Sequence, residues 1–429
     1  MLAIKTLKKF EFFLAGLLFF FLPTQLAYFF WPSWSFFWGI RVDFLSPTIF
    51  FTDIIIFFLL LFWLLRLALE SSFWLEKKAS WRLILASVFL LLIGVFLAYR
   101  PLLAGYRLIK WLEFCFLIIY FRKNFLPVFL LPLFFSLLLT SFLSWGQLLY
   151  QRSFQGFFWW LGERSFNLST IGVAKMTLFD RLFVQPMATF SHANSLAGFV
   201  LVSLVIFWRF RSFFTKKLGK LFYLGLSIIG SCLIITFSGT VWLTIMVAGL
   251  LFWLKKLGRW WFFLISGFLL AVFTWLMLSW EIVAWRSVLE RQFLLDNAWQ
   301  LFVRRPLFGW GLGNFIPAQG QLFFSRGTFD FYQPVHNLFL LILAEAGLLG
   351  LILAYFWGKR LWLKIEVGWR WMFFMIIFSG LFDHYWLTLQ QNFLLLGIAI
   401  AITLVSPKDG GKEDLINQKP SFVSASSKA

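Results

Sequence analysis

The stretch RQFLLDNAWQLFVRRPLFGWGLGNF, residues 291–315, is followed after a variable piece by PVHNLFLLILAEAGLLG, residues 334–350. Together they set a basic amphipathic segment, a glycine-rich turn and a histidine directly ahead of a long apolar run. A run of about twenty apolar residues reads as a membrane-spanning helix. The polar part in front of it is therefore predicted to lie outside the bilayer, meeting the membrane surface where the span begins. Chemistry in such a chain has few places to reside, and this segment is the richest of them.

The rest of the chain agrees on the class. Of its 429 residues 61% are hydrophobic, 22% aromatic and 13% charged, with a mean hydropathy of +0.85. That balance excludes a soluble domain and predicts an all-α polytopic membrane protein. Lys5, Lys8 and Lys9 before the apolar run at 12–30 imitate a signal peptide, but no small-x-small cleavage site follows. The run is long enough to span and is read as a retained first helix.

Apolar runs between charged, glycine or proline breaks predict about twelve spans. They lie near 10–30, 48–66, 83–99, 107–121, 125–145, 192–208, 221–237, 239–254, 260–280, 335–357, 371–389 and 391–406. Residues 1–405 are read as a single integral-membrane domain with a cytoplasmic N-terminus. The polar stretch 406–429, rich in Ser, Lys and Gly, is read as a disordered cytoplasmic tail. Two outward loops, about 146–191 and 281–334, exceed connector length. Their apolar stretches (157–161 and 293–302) are predicted to fold back onto the membrane surface as short helices. No internal repeat supports an inverted-repeat transporter.

The formal charge of +20 does not point to nucleic acid. About 25 of the 38 Lys and Arg fall in segments assigned to the cytoplasm, Lys77, Lys78, Arg209, Arg211, Lys255 and Lys256 among them, as the positive-inside bias and attraction to anionic lipid require. Cys115 and Cys232 both lie in apolar spans, which argues against a disulfide. With three histidines in the chain, no metal site and no cofactor are expected.

Those three histidines fall in one slab. His192 opens the sixth span, His336 the tenth, and His384 sits about thirteen residues into the outward-running eleventh, in its outer half at ~1.5 Å per residue. Pro334 suits a helix start, so His336 is placed in the first turn, where the helix dipole keeps the imidazole neutral and attracts a phosphate oxygen. A bland alternative, a histidine that caps the helix and touches headgroups, has equal weight. Arg286, Arg291, Arg304 and Arg305 lie on a side that normally lacks positive charge. Arg291 shares a helical face with Leu295, Ala298 and Phe302, and a guanidinium grips phosphate through a bidentate fork. Snorkelling onto lipid phosphates is the competing account, and the better one for Arg304. The turn Gly309-Trp310-Gly311-Leu312-Gly313 lacks a preceding strand, so it is no dinucleotide motif. It is read as a tuck against the spans whose backbone N–H groups could bind phosphate. Asp383 beside His384 is an intramembrane carboxylate, able to orient a ring, pair with arginine or bond a neighbouring helix. Glu345 is read as a structural hydrogen bond.

RRPLFGWGLGNF and VHNLFLLILAEAGLLGLI, joined with TFSHANSLAGF (189–199) and FDHYWLTLQQ (382–391), resemble segments of the O-antigen ligase and polymerase superfamily, in order, over about 154–401. The resemblance implies a GT-C-like membrane fold and a metal-independent, inverting glycosyltransferase. It would take a glycan from an undecaprenyl-diphosphate-type carrier on the outer face of a bacterial cytoplasmic membrane. Partners would be that donor, a glycan or lipid acceptor such as lipid A core or a growing polysaccharide, and membrane lipids. The family's post-loop histidine maps onto His336, as activator of the acceptor hydroxyl, and its loop-helix arginine onto Arg291, on the diphosphate. Arg181, Arg305, His192, Asn194, Asn337, Asp383 and His384 are the further substrate-binding candidates. Gln185 stands where relatives commonly carry arginine, with Arg181 nearby; Ala193 replaces a proline, and Gly239 follows Thr236-Phe237-Ser238 where relatives often have arginine. The second reading is a non-catalytic transporter or scaffold for lipid-linked sugars.

Overall fold

A computed structural model describes residues 2–70, 81–178, 181–254, 283–322 and 332–405. The span expected at 260–280, Lys77, Lys78, Lys255, Lys256, the side chain of Arg286 and the tail 406–429 lie outside the described residues. Helix dominates the rest. In chain order the helices are α1 (Leu2–Phe21), α2 (Phe51–Glu70), α3 (Trp81–Phe96), α4 (Pro101–Asn124), α5 (Leu130–Tyr150), α6 (Phe157–Trp160), α7 (Ala193–Arg209) and α8 (Arg211–Leu218). They continue as α9 (Leu221–Ile235), α10 (Gly239–Leu254), α11 (Val283–Arg304), α12 (Phe315–Ala318), α13 (Leu338–Lys364), α14 (Val367–Gly380), α15 (Tyr385–Thr388) and α16 (Gln390–Thr403). Among the described residues, three helices are long and apolar enough to cross a membrane. The number rises to five if the bent pairs α7/α8 (79°) and α9/α10 (118°) each count as one span. The chain is an all-α membrane protein in its core.

Its connections are not purely helical, and there the expectation needs correcting. The first helix ends at Phe21 rather than running to residue 30, because Pro23 pushes the residue before it out of helical backbone. The chain then forms β1 (Ala27–Phe29), β2 (Phe36–Phe37), β3 (Ile40–Arg41) and β4 (Thr48–Phe50). β1 pairs antiparallel with β4, Tyr28 opposite Ile49, and β2 with β3. The loop at 146–191 does fold a short helix at α6, but it also carries the hairpin β5 (Lys175–Leu178) and β6 (Arg181–Val184). Buried Glu163 anchors this loop: its carboxylate accepts the N–H groups of Phe154 (2.9 Å) and Gln155 (2.6 Å) and the Gln147 amide (2.9 Å).

Two cores hold the helices. The larger is phenylalanine-rich and joins α1, α2, α4, α5, α7, α9, α14 and α16. Phe134 sits among Phe207, Phe214 and Phe222, with Phe214 stacked on Phe222 at 4.8 Å between ring centroids. Gly225 is what lets Phe134 in, since a Cβ there would lie 2.4 Å from its ring. Lipid offers no hydrophobic drive to associate, so dense aromatic packing of this kind supplies the attraction. The smaller core seats α11 on α13 through Leu294, Ala298, Leu301, Trp310, Val335, Leu341 and Ala344.

The glycine turn is the clasp of that second core. α13 is broken at Gly347 (φ 67°), and the turn plugs the break. Trp310 N–H donates to Ala344 O (2.9 Å), Gly311 N–H to Glu345 O (2.8 Å), and Leu348 N–H to Pro306 O (2.7 Å). The Glu345 carboxylate takes Gly313 N–H (2.8 Å) and Phe315 N–H (3.2 Å), the structural role expected of it. The turn tucks against the spans as predicted, but these N–H groups are spent on α13 and are not offered to phosphate. A side chain at 347 would meet the Leu307 carbonyl at 2.3 Å in a left-handed backbone. Gly347→Ala is expected to cost about 1–3 kcal/mol, read as a lowered apparent Tm of the detergent-purified protein, with Gly358→Ala, where a Cβ meets open space, as the unchanged control.

Candidate functional site

Helix breaks also gather the polar residues singled out in the sequence. α7 begins at Ala193 with His192 as its N-cap, and the imidazole Nδ1 accepts Asn194 N–H at 3.1 Å. α13 begins at Leu338, two residues after the start expected at His336. Asn337 is its N-cap and accepts from Phe339 N–H (3.0 Å) and Leu340 N–H (2.9 Å), so His336 precedes the first turn instead of lying in it. The capping choice follows from chemistry: an asparagine oxygen reaches the free N–H groups, and a histidine one position earlier does not. The eleventh span is likewise not continuous to 389. α14 stops at Gly380, and Asp383 and His384 sit in the break before α15. The Asn337 amide donates to Leu381 O at 3.0 Å, stitching that break to the start of α13.

Asp383 is the hub. It is buried, and its Oδ2 accepts the Asn194 amide at 2.9 Å while its Oδ1 accepts His384 N–H at 2.8 Å. Asn194 in turn accepts the Ser238 hydroxyl at 2.8 Å. Ser238 is delivered by the sharp turn between α9 and α10, where Phe237 adopts φ 49°. His336 Nδ1 lies 3.6 Å from Asp383 Oδ1, beyond a formed hydrogen bond but poised for one, and is buried without another partner. The His336 side chain keeps 13% exposure against 6% for Asp383, so the imidazole is the member a bound molecule can reach. The His384 ring centre is 5.1 Å from that of His336. Its Nδ1 meets Thr388 Oγ1 at 2.6 Å, and the same hydroxyl donates to His384 O at 3.1 Å.

Arg291 is half-buried on α11, one turn before buried Leu294 and two before Ala298, as its helical face required. Its charge is near enough to act on both His192 and His384, and among the described residues no carboxylate pairs with it. His192, Asn194, Arg291, His336, Asn337, Asp383 and His384 thus converge from four separate stretches of chain. Two candidates do not join them. Arg181 is exposed on β6. Arg305 is exposed, donates to Leu97 O (3.1 Å) and covers the Trp310 ring at 4.2 Å. Arg304 is held to Gln321 O at 2.5 Å. Ser238 and Thr388 were missed because a hydroxyl in an apolar run carries no signal of its own. Tyr385 was passed over too, although its ring lies against Gly198 of α7, where a Cβ would be 2.4 Å from the hydroxyl.

Three of these residues, His336, Asp383 and His384, each offer one ligand atom within 4.8 Å of the others. The set has the types that hold a divalent ion. Against that, both carboxylate oxygens of Asp383 already accept hydrogen bonds, and His384 Nδ1 is engaged by Thr388.

Removing the hub strands buried donors. Asp383→Ala is expected to cost about 1–3 kcal/mol for each group left unpaired. Asp383→Asn, which keeps one acceptor oxygen, should cost less; an apparent Tm for the pair equal to wild type would contradict the network.

Residues 224–355 match the sequence model of a family described as O-antigen ligase. The match contains Arg291, Arg305, His336 and Asn337, whereas Arg181, His192, Asn194, Asp383 and His384 fall outside it. No curated protein and no solved structure matches the chain.

Proposed function

Because the chain belongs to the O-antigen ligase family, whose members are glycosyltransferase-type enzymes of cell-surface polysaccharide assembly, we propose that it transfers a glycan from an undecaprenyl-diphosphate-type carrier to a cell-surface acceptor. The observation that carries this reading is the buried Asp383 carboxylate beside the partly exposed His336 imidazole, with the Arg291 charge in range. In the proposed reaction Asp383 accepts a hydrogen bond from the Nδ1–H of His336, which keeps Nε2 unprotonated as the base. That nitrogen removes the proton from an acceptor hydroxyl as the oxygen attacks the anomeric carbon from the face opposite the leaving group, with inversion. The bond from that carbon to the diphosphate oxygen breaks, and the departing diphosphate carries its own negative charge. The Arg291 guanidinium stabilises it through a fixed cation, without a metal ion. Asn194 and Asn337 are largely committed to Asp383, Ser238, Leu381 and the α13 N-terminus, so they position the site. Arg181 and Arg305 would act only if substrate extends to them.

The same reading puts residues 1–405 in the cytoplasmic membrane of a bacterium as one GT-C-like domain. It has about twelve spans, both termini in the cytoplasm and the histidines facing outward, with 406–429 as a cytoplasmic tail. The donor, the acceptor and surrounding lipids are its partners.

His336→Ala should abolish release of polyprenyl diphosphate and extension of acceptor while membrane insertion is retained. Arg291→Lys should lower turnover by about tenfold or more, because a point charge does not reproduce the fork. Full transfer by the His336 variant would remove the assignment, and labelled carrier crossing a vesicle bilayer without transfer would favour a transporter. Turnover is expected to survive exhaustive chelation; loss restored by a divalent cation would instead put an ion on His336, Asp383 and His384.

A further inference from the structure

The segment between the first two helices reaches the histidine pair, although no sequence motif marks it and the family match at 224–355 does not include it. β2 and β3 close a tight hairpin through Trp38 (φ 50°) and Gly39 (φ 80°), and the chain then makes a single 3-10 turn at Asp43–Leu45. In that turn the half-buried Phe44 ring meets the His384 ring edge to face, 5.7 Å between centres and 81° between planes. The other neighbour of the His384 ring is His336, 5.1 Å away.

The segment is braced from several sides. Arg107 of α4 donates to Phe44 O at 2.9 Å, and Arg100, just ahead of the same helix, donates to Trp34 O. The Arg107 stem packs on Gly313 of the glycine turn, where a Cβ would lie 2.8 Å from it. Within the segment Val42 N–H reaches Ser35 O (3.1 Å), and the Ser35 hydroxyl donates to Leu45 O (3.2 Å). Phe37, Val42 and Leu45 are buried in the smaller core. The exposed Arg164–Asp43 pair (3.1 Å) adds little energy but ties in the second outward loop. A backbone held at so many points gives Phe44 one place to be, as the support of a site residue requires.

His384 needs such a neighbour. It sits in the break before α15, and Thr388 Oγ1 holds its Nδ1 at 2.6 Å. One hydrogen bond pins one ring atom and leaves the tilt of the plane open. A fixed ring packed against the imidazole sets that tilt, and phenylalanine does so without competing for the imidazole nitrogens.

We propose that Phe44 is a positioning residue: it fixes the plane of the His384 imidazole beside His336, and Arg107 acts on the site through the Phe44 carbonyl. The effect on turnover rests on the transferase reading; the effect on the imidazole does not. The chain has three histidines, so the full-length protein with 13C-labelled histidine in nanodiscs gives a spectrum assignable with His192→Gln and His384→Gln. Phe44→Leu keeps the bulk and removes the ring. Its His384 signal should move while the His192 signal stays, the latter showing that the fold is retained. Phe44→Tyr should leave both signals in place, and Arg107→Gln should move the His384 signal. Turnover of a polyprenyl-diphosphate-linked glycan by Phe44→Leu should fall about 2- to 12-fold, the span of a lost aromatic pair. KM for that donor should be unchanged, and Phe44→Tyr should restore the rate. A His384 signal unmoved in Phe44→Leu overturns the proposal, as does a lost rate that Phe44→Tyr fails to restore. A moved signal in a protein that transfers nothing sinks the transferase reading and spares this one, whereas transfer with an unmoved signal does the reverse.

Discussion

Backbone N–H and C=O groups exposed by a broken helix find no water in an apolar slab, so each break has to be answered by another part of the protein. That constraint organises this molecule. The break at Gly347 is answered by the backbone of residues 306–311 and the carboxylate of Glu345 presents itself to the next turn. The break after Gly380 is answered by Asn337 through Leu381 O and by the Asp383 side chain through His384 N–H. At the bend between α9 and α10 the Ser238 hydroxyl takes Val241 N–H (3.4 Å) and donates across to Asn194. These repairs are mutual, and together they bring the ends of α7, α10, α13, α14 and α15 to one place.

The chemistry is a by-product of that repair work. A carboxylate needed to satisfy buried donors becomes the natural orienting group for an imidazole 3.6 Å away. A histidine displaced from the cap position by Asn337 is left without a local hydrogen bond and is free to act on something else. The loop helix α11 brings Arg291 into range because Leu294, Ala298 and Leu301 lock it onto α13. Arginine 305, close in sequence, is diverted onto Trp310, where its charge braces the glycine turn rather than the site.

Charge is handled differently in the two halves of the α4 neighbourhood. Lys110 is wrapped by Asp53 and Glu113 and serves the architecture. Arg107, one turn earlier, is half-buried and donates to Phe44 O at 2.9 Å.

Sequence alone determined the membrane class, the positions of most helices, the tuck of the glycine turn and the identity of the histidines and Arg291 as residues worth placing. Apolar run length and the charge bias are local quantities, and they are set before any helix meets another. It misjudged the ends: Pro23 cut the first span short, Asn337 took the cap from His336, and His384 fell in a break instead of within a helix. Endings depend on which partner satisfies the freed backbone groups, and that partner can lie in a different helix, as Asn337 does for Leu381 O. The hairpins at 27–50 and 175–184, the hub at Glu163 and the contacts of Ser238 and Thr388 were decided by tertiary contact in the same way. A hydroxyl or guanidinium in an apolar run acquires meaning only from what packs beside it.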